Sequence, residues 1–308
     1  MKKTVLAFLL FAGVAFAAQA QEEVVLATKE DSLRVGYWEK NAQLAVNFAQ
    51  ASFNDSWQGG GVNNFSIGAL YNQSADRFKG KGVWSNDLQF QYGFLRNKGI
   101  DLRKSVDRLF AESKYASAIS PKVNWFAGVN LLTQFSNGYD FSSEGERGDL
   151  ISSFFAPAFI SEGVGLEYIP VPYFKLSLGG ATIRQTIVAN NTVFENTKQA
   201  VTTKDGTETF ASYGVLEGKS LLNELGLQAV ATFDKNLAEN LNLKWRYQAF
   251  LAYAPESKPI DHNINLIATS KIGKYFNVNF SLIGIYDADQ IKKFQLSQGL
   301  SAGFSLAL

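Results

Sequence analysis

The sequence predicts an all-β transmembrane protein, an antiparallel up-and-down β-barrel of about twelve strands. Three observations lead there. Apolar and polar residues alternate along the chain with period two. The connections between these stretches are long and short by turns. Aromatic residues make up 14% of the chain, with 25 Phe, 12 Tyr and 5 Trp, and Pro is rare at 6.

The clearest strands show the alternation directly. "WSNDLQFQYGFL" sets Trp84, Leu88, Phe90, Tyr92 and Phe94 against Ser85, Asp87, Gln89, Gln91 and Gly93. "LNLKWRYQAFLAY" sets Leu241, Leu243, Trp245 and Tyr247 against Asn242, Lys244, Arg246 and Gln248. "FNVNFSLIGIY" sets Phe276, Val278, Phe280 and Leu282 against Asn277, Asn279 and Ser281. The last stretch, "FQLSQGLSAGFSLAL", sets Phe294, Leu296, Leu300, Ala302, Phe304 and Leu306 against small residues such as Ser297, Gly299, Ser301 and Gly303. Noisier strands fall near 41–51, 62–77, 107–119, 123–136, 157–169, 173–189, 223–234 and 260–272. Each exceeds the usual globular strand of roughly 5–6 residues and suits a tilted crossing of a bilayer, for which about 9–11 are enough.

Long connections contain "NDSWQGGGVN", "RNKGIDLRKSV", "SNGYDFSSEGERGDLISSF", residues 190–222, "APESKPID" and "DADQIKK". Short ones contain "FKGKG", "SPKVN", "PVP", "DKNLAEN" and "KIGKYF". Transmembrane barrels have long outer loops and short periplasmic turns. Lipid cannot hydrogen-bond exposed backbone, so such a sheet must close on itself. A soluble lipocalin-like barrel or sandwich would alternate too, but gives no reason for this loop pattern.

Residues 1–20 read as a cleaved signal peptide: Lys2 and Lys3, an apolar run from Val5 to Phe16, then Ala18-Gln19-Ala20. Residues 21–37 are expected to form a periplasmic segment and 38–308 the outer-membrane barrel. Loss of Lys2 and Lys3 would turn the formal charge of +1 into −1, without the basic excess that nucleic-acid binding uses. The chain has no Cys.

Candidate chemistry is sparse. His262 is the only His, and parity places it beside Ile264 and Leu266 on the lipid face, away from Asp261. It is therefore expected at the membrane interface, and no catalytic residue is assigned. Asp287 and Asp289 in "YDADQ" are expected in a solvated outer loop; two carboxylates could contribute to a calcium site, but no metal or cofactor is assigned. Trp57, beside three glycines in an outer loop, is expected to anchor at the interface, the alternative being a plug folded into the barrel mouth. Inner parity assigns Arg108, Lys114, Lys175, Lys244 and Arg246 to the lumen, against Asp87 and Glu112. That positive excess predicts a weak anion preference if the barrel conducts.

Several stretches resemble an uncharacterised outer-membrane family of Gram-negative bacteria, domain-of-unknown-function family 3078. "NFAQASFNDSWQGGGVNNFSIGAL" is similar through Phe53, Trp57, Gly59, Gly60 and Asn64. "NWFAGVNLLTQFSNGYDF" is similar through Trp125, Thr133, Gln134, Phe135, Gly138 and Tyr139, and "FFAPAFISEGVGLEYIP" through Pro157, Gly165 and Pro170. The resemblance implies location in the outer membrane. The family has no established activity, so it carries over no functional residues.

Two functions are expected above others: a narrow porin-like channel for small polar solutes, or a structural barrel with a filled lumen. A barrel enzyme acting on lipid or surface peptide is disfavoured by the single His. The expected partners are outer-membrane lipid and, through the C-terminal strand, the barrel-assembly machinery.

Overall fold

The computed structural model describes residues 36–52, 63–142, 145–203, 205–273 and 275–307. The expected signal segment, most of the 21–37 segment and Trp57 lie outside them. In chain order the elements are β1 (Trp38–Ala51), β2 (Asn64–Lys79), β3 (Gly82–Asn97), β4 (Arg103–Ser120) and β5 (Val123–Thr133). A hairpin of β6 (Gly138–Phe141) and β7 (Arg147–Ser152) precedes β8 (Ala158–Val171) and β9 (Phe174–Ile187). Helix α1 (Asn191–Thr197) and strands β10 (Gln199–Thr202), β11 (Glu208–Ser212) and β12 (Val215–Leu216) follow. The chain then runs through β13 (Leu221–Ala238), β14 (Leu241–Ala254), β15 (Asp261–Ile272), β16 (Phe276–Asp287) and β17 (Ile291–Ala307).

Twelve of these strands close into one antiparallel barrel, in the order β1-β17-β16-β15-β14-β13-β9-β8-β5-β4-β3-β2. Closure satisfies the backbone that lipid could not. The seam pairs Gln43 with Ala307 and Phe48 with Ala302. A Cβ at Gly303 would run into the Val46 carbonyl, which explains why a glycine stands there.

The outward face is that of a transmembrane barrel. Leu44, Val46, Ile67, Val129, Leu166, Leu178, Leu227, Leu296 and Leu300 are all exposed on it. Aromatic residues ring it at both ends, as at membrane interfaces. Near the short turns the ring includes the pairs Trp38–Trp84, Tyr115–Trp125, Phe233–Trp245 and Phe276–Phe304. Near the long loops it includes Phe48–Phe65, Tyr92–Phe94 and Tyr247–His262. Polar residues on this face satisfy one another: Trp84 Nε1 donates to Ser113 Oγ, which donates to Asn86 Oδ1. One carboxylate, Glu162 on β8, is exposed among Val164 and Leu166; we have no physical account of it.

Two connections differ from expectation. The β16–β17 link is a three-residue turn, Ala288–Gln290, as short as those at the other end. The 190–222 connection, expected as a polar loop, contains α1 and the three-stranded sheet β10-β11-β12. Asn190 caps α1 by accepting from the Thr192 and Val193 amides at 2.9 and 3.3 Å. Val193, Phe194, Val215, Val188 and Ala156 form a small core that joins this connection to the 134–157 loop. The Gln199 side chain reaches the Gln290 carbonyl at 2.9 Å, so this cap extends towards the β16–β17 turn.

Candidate functional site in the barrel lumen

The lumen gathers polar chemistry from distant parts of the chain. Its contents follow from the inner parity of each strand, with one interruption. On β9, register shifts around Gly179 and Gly180 mark a β-bulge against both β8 and β13. An extra residue reverses the alternation. Lys175, Ser177 and Gly179 face inward before it, and Thr182, Arg184 and Thr186 occupy the buried inner positions after it.

Arg184 is the centre of a network at the loop end. Its Nε and Nη2 donate to Glu224 Oε2 on β13 at 3.0 and 2.7 Å, and its Nη1 to Asp261 Oδ2 on β15 at 2.5 Å. Lys258 lies 2.8 Å from Glu224 Oε1 and 2.6 Å from Asp289 Oδ2. The guanidinium also stacks over Phe250, 4.2 Å from its centroid. Burial draws the Lys258 ammonium down, but Asp289 and Glu224 outweigh it and hold the group above its ordinary range. The network ties β9, β13, β15, the β14–β15 loop and the β16–β17 turn together across the mouth.

Halfway along the lumen Arg246 on β14 meets Glu112 on β4 at 3.0 Å and Gln248 at 2.7 Å. Arg108 donates to Gln89 on β3 at 2.8 Å. Towards the turn end Lys114 pairs with Glu167, which also accepts from Ser177 at 3.1 Å. Lys175 lines a vestibule of about 600 Å³ there with Asp76, Lys114 and Glu167. Lys244 lies 3.6 Å from Asp234 in a half-exposed pair. Asp87 stands directly across from Glu112 in the β3–β4 pairing.

The opposite wall is different in kind. Inward positions of β1, β2, β16 and β17 carry Asn47, Ser66, Gly68, Asn279, Ser281, Ser297 and Gly299, and these line a cavity of about 440 Å³. Asn279 donates to Asn277 at 2.7 Å and accepts from Thr269 at 2.9 Å, so the wall is hydrogen-bonded within itself.

Several sequence readings need correction. The positive excess does not survive: Arg184 and Lys258 join the cations, but Asp76, Glu167, Glu224, Asp234, Asp261, Asp287 and Asp289 join the carboxylates. Asp287 is not a loop residue; it is the buried last residue of β16, facing inward near Arg184. Asp289 does lie in the connecting turn, but bound to Lys258 rather than free in solvent. His262 faces outward, where Tyr247 Oη lies 2.6 Å from its Nδ1. Arg184 was missed because parity was carried unbroken through the Gly179-Gly180 pair, a dipeptide that itself signals a bulge. Among the described residues no cluster of metal-ligating side chains occurs.

The fold and this lumen define a transmembrane β-barrel whose interior is partly filled. Residues 48–139 match the family described as "Protein of unknown function (DUF3078)", and no curated protein matches the chain. Three solved structures are similar in fold at low identity. An outer membrane channel from Pseudomonas putida F1 has 7% identity and a TM-score of 0.40, covering 94% of this chain and 100% of that one. The NanC porin has 9% and 0.37, covering 86% and 100%. The translocator domain of the autotransporter NalP from Neisseria meningitidis has 9% and 0.33, covering 87% and 86%. The barrel assignment rests on the strand pairing itself.

Proposed function

We propose that the chain is an outer-membrane barrel that passes small polar solutes along its small-residue wall, with the long loops outside the cell. The observation that carries this reading is the cavity of about 440 Å³ whose lining combines Asn and Ser side chains and glycines with apolar residues such as Leu70, Ile267 and Ile283. Those side chains are too short to span the lumen. The paired charges on the opposite wall leave little net field, so the passage discriminates weakly between cations and anions. The cap over the loop end restricts it to small solutes. The lining offers polar contacts of the kind a passing solute exchanges for water. Lipid contacts the apolar band, and β17 is the strand presented to the assembly machinery.

Purified protein in planar bilayers under a salt gradient tests this. The expected result is small discrete current steps with a reversal potential near zero. Strong selectivity for either ion would contradict the charge pairing. A second reading, a structural barrel, is favoured by the Arg184 network, and absence of steps over many insertions would decide for it. A tag inserted beside Asp205 is expected to be accessible on intact cells; a hidden tag would reverse the topology.

A further inference from the structure

We infer that the lumen holds a binding site for a small oxyanion, a carboxylate or a phosphate group, between Arg108 and Arg246. Most cations around the middle and loop end of the lumen have an acid partner. Arg184 has Glu224 and Asp261, Lys258 has Glu224 and Asp289, Lys114 has Glu167, and Arg246 has Glu112. Arg108 has none: among the described residues its one hydrogen bond goes to the neutral Gln89, at 2.8 Å. Its charged neighbour is of like sign. The guanidinium carbons of Arg108 and Arg246 lie 4.9 and 5.2 Å from the centroid of the same ring, Phe110.

Arg246 has Glu112 and Arg108 has no acid of its own, so the pair carries a local positive charge. A buried charge without a counter-charge is costly, and an arriving anion would remove that cost. The guanidinium is a planar fork suited to two oxygens of one anion. Both arginines line a cavity of about 100 Å³ with Asn130, Ser161 and Gln248. That space admits a group of a few heavy atoms, with neutral donors to complete its shell. On the far side Asp261 and Asp287 also line the cavity: Asp261 is engaged by Arg184, and the Asp287 carboxylate lies near Arg184 and accepts from the Asp289 amide and the Gln290 side chain. Binding here does not require that the barrel conduct.

Calorimetric titration of the purified barrel in detergent with acetate, and separately with inorganic phosphate, tests the site. One saturable site for at least one anion is expected. Acetate alone would assign a carboxylate and phosphate alone a phosphate group. Arg108→Gln should weaken binding about tenfold or more, Arg108→Lys should retain part of it, and Lys175→Gln, in the open vestibule, should bind like the parent protein. Thermal unfolding of each variant establishes that it is folded. No saturable heat with either anion, parental binding by Arg108→Gln, or an equal loss in Lys175→Gln would overturn the inference.

Discussion

Around the middle of the barrel, inward positions on β1, β2, β16 and β17 carry short or uncharged residues such as Asn47, Ser66, Gly68, Ser281 and Ser297, whereas those on β4, β8, β9, β13 and β14 include long charged ones such as Arg108, Glu167, Arg184, Glu224 and Arg246. Both walls obey the same alternation and the same antiparallel pairing. On the second, long side chains cross the lumen and meet: Arg184 reaches Asp261 and Arg246 reaches Glu112. On the first, short side chains bond to their neighbours and leave a cavity of about 440 Å³. Occupancy of a barrel thus depends on the length of its inner side chains as much as on strand number. A barrel of one circumference can be filled on one side and open on the other.

The charged wall is expected to be the more fragile. Glu224 is 1% exposed and serves both Arg184 and Lys258. Glu224→Ala leaves two cations without their shared acid, and breaking a buried pair costs about 3–5 kcal/mol. The temperature at which the folded barrel loses its compact migration in detergent gels should fall accordingly. A parental melting temperature would mean the network contributes nothing. The lipid face comes next. Leu300→Arg should destabilise by about 2–4 kcal/mol near mid-bilayer, whereas Ser301→Arg, on the inner face, should mainly alter conduction. Equal unfolding free energies for the two in lipid would show that the face assignment is wrong. The smallest effect is expected at Lys244→Gln, since its 3.6 Å pair with Asp234 is half exposed; such pairs are worth about 0–1 kcal/mol. A loss as large as that of Glu224→Ala would erase the distinction between buried and solvated pairs.

Much of this contrast was legible in residue order. Twelve strands and their faces follow from period-two patterning, because a sheet between lipid and water imposes opposite demands on alternate residues. The small inner residues of β17 stood out for the same reason. What parity could not supply was register. The bulge at Gly179-Gly180 moved Arg184 inward, and pairing then brought Glu224 and Asp261 to it from 40 and 77 residues away. Counting Arg108, Lys114, Lys175, Lys244 and Arg246 against Asp87 and Glu112 therefore mistook a sample of charges for the whole lumen. The ordered cap was legible in part: Asn190 before Asn191-Thr192 is a helix-capping signal, and Asp205-Gly206 a hairpin turn signal. Their packing on the 134–157 loop is a long-range contact with no local pattern.

The small-residue wall as the water path can be tested most directly by placing a thiol on it. The chain has no Cys, so each introduced one is unique. In planar bilayers, Ser281→Cys and Ser297→Cys should lose conductance when a water-soluble methanethiosulfonate reagent is added, while Thr182→Cys, 1% exposed on the charged wall, should not respond. Conductance blocked through Thr182→Cys but untouched through Ser281→Cys and Ser297→Cys would contradict the account.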